Sequence, residues 1–79
     1  MKLTQMSNEV YSTIKNTTKE LTVDEIATLV GRSTRSVNAN ITDLSKKGLV
    51  AREKRGEGDE AKTYVVLTDE GRNFVPTEE

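Results

Sequence analysis

The chain has 79 residues, a hydrophobic share of 33% and a formal net charge of −1. A chain this short supports one small core, so a single domain is expected and a large catalytic cleft is not. Cysteine and histidine are absent, which excludes disulfides, iron–sulfur clusters and thiol catalysis and removes the commonest general base and metal ligand. Met6, Val10 and Ile14 recur every four residues and predict a first helix over about 6–16, capped by Thr4 or Ser7. "NTTKE" at 16–20 breaks it. Thr22-Val23-Asp24-Glu25 has capping-box spacing, and Leu21 and Ile26 flank it as a hydrophobic staple. A second helix therefore starts at Thr22, buries Ile26, Leu29 and Val30, and stops at Gly31. It is too short to be stable alone and must pack on a neighbour.

Arg32-Ser33 forms a turn, with Ser33 as the cap of a third helix over about 34–47. Its core side is Val37, Ile41 and Leu44, and Gly48 ends it. "LVAREKR" (49–55) and "KTYVVLT" (62–68) read as two strands joined by the loop "GEGDE". "LTDEGRNFV" (67–75) starts a last short helix capped by Thr68, with Phe74 packing back, and residues 76–79 form a frayed tail. The expected fold is α+β: a helix-turn-helix followed by a two-stranded hairpin wing, over residues 1–75. Tyr11, Tyr64 and Phe74 are the only aromatic residues and are expected to anchor the core.

The string "STRSVNANITDLSKKGLVAREKR…AKTYVVLTDEGRNF" resembles the winged-helix half of MarR-type transcriptional regulators. The matching elements are the Ser/Thr-started recognition helix, "L..KGLV.R", a charged wing and "LT.EGR.F", together spanning about residues 20–74. The resemblance implies a DNA-binding winged helix that regulates transcription. MarR-type regulators are longer and dimerise through additional terminal helices, beside which their ligand pocket lies. This chain stops almost as soon as the wing closes, so dimerisation by such helices and small-molecule sensing are not carried over.

The net charge hides a segregation. Residues 32–55 carry seven basic and two acidic side chains, net +5, and residues 57–79 carry two basic and seven acidic, net −5. A duplex responds to the local field rather than to the total, so the basic segment can face phosphates while the acidic one faces away. At about 100° per residue, the face of the third helix opposite its core carries Arg35, Asn38, Ala39, Thr42, Asp43 and Lys46.

Arg35 can donate a bidentate pair to guanine, Asn38 can pair with adenine, and Ala39 and Thr42 can approach thymine methyls or base edges. Backbone contacts are expected from Arg32, Ser33, Thr34, Ser36, Lys46 and Lys47, and from Arg52, Lys54, Arg55 and Lys62 on the wing. Plainer readings exist for each. The asparagines can be solvated, Lys46 and Lys47 can complement a helix dipole, and Glu53, Glu57, Asp59 and Glu60 can pair with the wing's own bases. Asp43 and the acidic tip at Glu57, Asp59 and Glu60 oppose DNA binding.

The expected partner is double-stranded DNA, with a weak homodimer or a protein partner left open. The rival reading is a protein-interaction module, a small bacterial or phage adaptor or inhibitor using its acidic segment. An enzyme is not expected: adjacent carboxylates such as Asp24-Glu25 do not face each other on a helix, and no base accompanies the hydroxyls. No metal or cofactor site is expected; "GEGDE" lacks calcium-loop spacing, and Gly56 and Gly58 lack the following Lys-Ser/Thr of a phosphate loop. No apolar run approaches the ~18–20 residues of a membrane span, and the N-terminus does not resemble a signal peptide. A cytoplasmic, nucleoid-associated protein is expected.

Overall fold

Each of the four α-helices among the described residues starts on a hydroxyl side chain. In this computed structural model, which describes residues 3–74, Thr4, Thr22, Ser33 and Thr68 accept the backbone N–H three residues on, at 3.0–3.3 Å. These bonds satisfy amides that a helix leaves without intrahelical partners. At Thr22 the box closes both ways, because Glu25 Oε1 also accepts from the Thr22 N–H at 2.9 Å.

The elements in chain order are α1 (Gln5–Asn16), β1 (Leu21–Thr22), α2 (Val23–Val30), α3 (Thr34–Lys46), β2 (Val50–Arg55), β3 (Lys62–Leu67) and α4 (Asp69–Asn73). A single 3-10 turn, Gly58–Glu60, sits at the wing tip. The fold is the expected α+β winged helix, with four helices and an antiparallel sheet. The sheet has three strands rather than two, in the order β1-β3-β2, with Leu21 opposite Val65 and Thr22 opposite Tyr64. Sequence reading assigned Leu21 and Thr22 to a staple and a cap. Thr22 is the cap and Leu21 is buried in the core, and both also pair with β3, which local periodicity cannot reveal over two residues.

Val10, Tyr11 and Ile14 from α1 meet Ile26 and Ala27 from α2 and Val37, Ile41 and Leu44 from α3. Leu21, Leu49, Val50 and Val65 close this core from the sheet side. Two expected core residues are not there. Met6 is 53% exposed and Leu29 60%. The buried stripe of α1 runs through Ser7, Val10, Tyr11 and Ile14 instead, and α2 buries the small Ala27 beside Ile26 rather than Leu29. Gly31 takes the left-handed conformation that ends α2 (φ +71°), the reason glycine suits the turn into α3.

The segments around Gly48 and Thr68 lock together. Thr68 Oγ1 donates to the Gly48 carbonyl at 2.6 Å, and the Thr68 N–H donates to the Leu49 carbonyl at 3.1 Å. The "KGL" and "LT.EG" elements of the sequence are thus two sides of one joint. Tyr11 then ties α4 to α1. The residue is 1% exposed, its single hydroxyl hydrogen is shared between the carbonyls of Gly71 (2.5 Å) and Phe74 (2.9 Å), and its ring meets Phe74 edge-on with centroids 5.4 Å apart. Tyr11 anchors the core as expected, with Phe74 packed on its margin, while Tyr64 is half-buried on the sheet. The tail expected at 76–79 lies outside the described residues.

Candidate nucleic-acid interface

The face of α3 opposite Val37, Ile41 and Leu44 is solvent-exposed and carries Arg35, Asn38, Ala39, Thr42 and Lys46. The helix is placed by its buried stripe, so these side chains look outward as a consequence of core packing. Arg35 and Lys46 make no side-chain hydrogen bond or ion pair with any described residue. Their charges are available to an external anion.

Asp43 sits at the edge of that face, its side chain 40% exposed. It points toward α1, where Ser7 Oγ donates to its carboxylate at 3.2 Å and Lys47 Nζ lies 2.7 Å away. The Lys47 ammonium, aided by the Ser7 hydroxyl, holds the Asp43 carboxyl below the usual range. The expectation of an unpaired outward acid on the recognition helix is corrected. Asp43 is an α1–α3 tie, and Lys47 is its counter-ion.

Arg32 is also occupied. Its guanidinium donates to Asn40 Oδ1 and to the Met6 carbonyl, both at 3.0 Å, and its Nη2 lies 3.7 Å from a Glu9 carboxylate oxygen. It joins the α2–α3 turn to α1, with a side chain only 17% exposed. Thr34 Oγ1 donates to Asp24 Oδ1 at 3.2 Å, so a carboxylate stands beside the start of α3. Ser33 is engaged as the cap, and Ser36 supplies the capped N–H.

The basic residues of the wing divide by strand alternation. Arg52 and Lys54 share the sheet face turned toward the helices. Arg55, Glu53, Tyr64 and Lys62 share the opposite face, as their cross-strand pairing requires. On that outer face Arg55 is paired with Glu20, before β1, and with Glu53 at 2.9 Å, and its guanidinium lies 5.3 Å from the Tyr64 ring centroid. The two carboxylates raise the Arg55 pKa further, and Arg55 in turn lowers that of Glu20. Lys54 and Lys62 are exposed and make no side-chain hydrogen bond or ion pair with a described residue. Arg52 reaches α3: its Nη2 contacts Asn38 Oδ1 at 2.6 Å, the Asn38 carbonyl at 3.1 Å and Thr42 Oγ1 at 3.1 Å. Of the wing acids, Glu53 pairs with a wing base, whereas Glu57, Asp59 and Glu60 make no ion pair with any described residue.

Ser7, Glu20 and Asn40 are the residues that sequence reasoning missed. Ser7 and Glu20 hold Asp43 and Arg55 from distant parts of the chain, and Asn40 holds Arg32 across the turn between α2 and α3, and no local pattern signals these partners.

The sequence matches the HVO_A0114 family model over residues 2–70. The chain belongs to that family. No curated protein matches it in sequence. Among solved structures, a disulfide-formed AbfR superposes with a TM-score of 0.78 at 24% identity, covering 90% of this chain and 47% of that one. MepR, a transcription regulator of the Staphylococcus aureus multidrug efflux pump MepA, gives 0.76 at 19%, covering 90% and 51%. A MarR-family transcriptional regulator from Rhodococcus sp. RHA1 gives 0.76 at 20%, covering 90% and 49%. The chain is a winged helix similar in fold to MarR-family regulators, and it spans about half the length of the structures it matches. No helix among the described residues is long and apolar enough to cross a membrane, and no group of three or more acidic side chains there is placed to hold a metal ion.

Proposed function

We propose that this chain is a single winged-helix domain over residues 1–75 that binds double-stranded DNA and acts in transcriptional regulation in the cytoplasm, without enzymatic activity. The observation that carries this reading is the outward face of α3. It offers Arg35 and Lys46 free of partners among the described residues and Ala39 small enough for close approach, and the one acid at its edge, Asp43, is tied to Ser7 and Lys47. Such a face suits the major groove, with Arg35, Asn38, Ala39 and Thr42 at base edges and Lys46 on phosphate. Lys54, on the sheet face turned toward the helices, extends the cationic surface of α3 along the wing toward an adjacent backbone, while Lys62 adds a free cation on the opposite face. Ser33, Thr34 and Ser36 stand where a phosphate can meet the N-terminal end of α3, although the Asp24 carboxylate weakens that position. Arg32, Lys47 and Arg55 contribute to the field rather than as direct contacts, since their charges are already paired.

The deciding experiment is an amide NMR titration with a generic duplex at about 20 and about 200 mM salt, which straddles the steep range of counterion release. Shifts confined to α3 and the wing that vanish at the higher salt support the reading. A spectrum unmoved at the lower salt refutes it. The unpaired acids at Glu57, Asp59 and Glu60 favour a second reading, a module for a basic protein partner, and capture of such a partner by the wing tip would support that reading instead.

A further inference from the structure

Arg52 stands apart from the other exposed cations because its guanidinium is engaged by the helix that would read bases. Guanidinium groups donate only. The side-chain amide of Asn38 must therefore turn its oxygen, not its nitrogen, to Arg52, and the 2.6 Å contact has that sense. The same Nη2 also contacts Thr42 Oγ1 at 3.1 Å, and the Thr42 hydroxyl directs its own hydrogen to the Asn38 carbonyl at 3.0 Å. Asn38 is thus left with its NH2 group as the outward donor, and Thr42 with a lone pair and a methyl group.

We propose that Arg52 is a specificity-determining residue that fixes the polarity of this face, so that Asn38 acts as a hydrogen-bond donor and Thr42 as an acceptor toward the base edges of a duplex. This rests on the DNA-binding reading above and sharpens it. Bidentate recognition of adenine needs both the amide oxygen and the amide nitrogen of an asparagine. With the oxygen held by Arg52, Asn38 favours guanine O6 or thymine O4, since N7 is an acceptor in both purines and only at the O6 position does adenine present an amino group instead. Thr42, one helical turn along, favours a groove amino group, namely cytosine N4 or adenine N6. Arg52 is then a positioning residue rather than a phosphate contact.

The test is selection from a random duplex pool by the wild type, Arg52→Ala, Asn38→Ala and Asn38→Asp, with folding checked by amide NMR. Relative enrichment is read rather than total affinity, because Arg52→Ala also removes a positive charge. The wild type is expected to enrich guanine or thymine over adenine by about tenfold at one position, the scale of a single discriminating groove hydrogen bond. That preference should vanish in Asn38→Ala, and in Asn38→Asp, which keeps an acceptor for Arg52 but loses the outward donor. Arg52→Ala should admit adenine at the same position. In the free protein, Arg52→Ala should also shift the two side-chain amide proton signals of Asn38. A wild type that selects adenine at the Asn38-dependent position, or an Arg52→Ala variant with unchanged preferences, overturns the polarity proposal and leaves DNA binding standing. A wild type that enriches no duplex and gives no low-salt titration overturns both.

Discussion

Gly71 lies against the backbone of Leu49 so closely that a Cβ added to it would overlap the Leu49 carbonyl oxygen. That oxygen already accepts the Thr68 N–H at 3.1 Å, so it cannot withdraw without breaking the joint between the end of α3 and the start of α4. The glycine of "LTDEG" is therefore a matter of space rather than of unusual backbone angles. Gly71→Ala should destabilise the fold by about 1–3 kcal/mol or more, the usual range for overpacking, with the loss centred on α4. Urea denaturation measures it. A midpoint equal to that of the wild type would mean the two segments are less tightly joined than this contact requires.

Tyr11 offers a separate test of the same region. Tyr11→Phe keeps the buried ring and its edge-on contact with Phe74 but removes the hydroxyl that serves the Gly71 and Phe74 carbonyls. A cost of about 1–3 kcal/mol is expected from unpairing a buried carbonyl. Hydrogen exchange should show it as faster opening of α4, with α3 unchanged.

Acid should loosen the molecule in a defined direction. The folded-state pKa values of Glu25 and Asp43 lie below their ordinary values of 4.5 and 3.8, chiefly through hydrogen bonds from Thr22 and Lys47 respectively, and Glu20 is lowered by Arg55. For depressed carboxylates the unfolded chain binds more protons than the folded one. Their contribution is fully present above the ordinary values and fades as pH falls through the lowered ones. Thermal melts from neutral pH down should therefore stay level until about pH 4.5 and then decline. Asp43→Asn should flatten part of that decline, and an unchanged acid limb would show that Asp43 is not held by Lys47 in solution.

Cations already committed inside the fold should behave differently from free ones. Lys46→Ala and Lys54→Ala are expected to leave stability within about 0.5 kcal/mol of the wild type. Each should also reduce the slope of log affinity against log salt, by about 0.9 for every phosphate that the variant no longer neutralises. Arg32→Ala should do the reverse, lowering the melting temperature while leaving the salt slope near that of the wild type, because its guanidinium serves Asn40, Met6 and Glu9. Fluorescence anisotropy on a labelled duplex across a salt series separates the two classes.

The parts of this architecture governed by neighbours in sequence were readable in advance. The capping box at Thr22–Glu25, the Ser33 and Thr68 caps, the Val37–Ile41–Leu44 stripe and the wing hairpin each follow from spacings of two to four residues. What was missed depends on partners far along the chain. Periodicity places Met6 in line with Val10 and Ile14, yet the α1 surface that meets the core is rotated toward Ser7 and Tyr11. Asp43 lies at the edge of the outward arc of α3, and its tie to Ser7 on α1, beside that to Lys47, is invisible to local pattern. Likewise the basic block at 32–55 looks uniform as a string, but Arg32 and Arg55 are drawn to the distant Glu9 and Glu20, and Lys47 to Asp43 one turn before it, whereas Arg35, Lys46 and Lys54 have no ion-pair partner among the described residues.

The wing is fastened from two directions. Arg55 on its outer face reaches Glu20 ahead of β1, and Arg52 on its inner face reaches Asn38 and Thr42 on α3. The spacing between the base of the hairpin and the reading helix is therefore set when the chain folds. Much of the ordering entropy that a hinged wing would lose on meeting a duplex is already lost here, so such an encounter costs less and discriminates by shape. If the chain binds a duplex as proposed, it does so as a fixed caliper rather than a closing hand, and a groove of the wrong width must itself deform to be gripped.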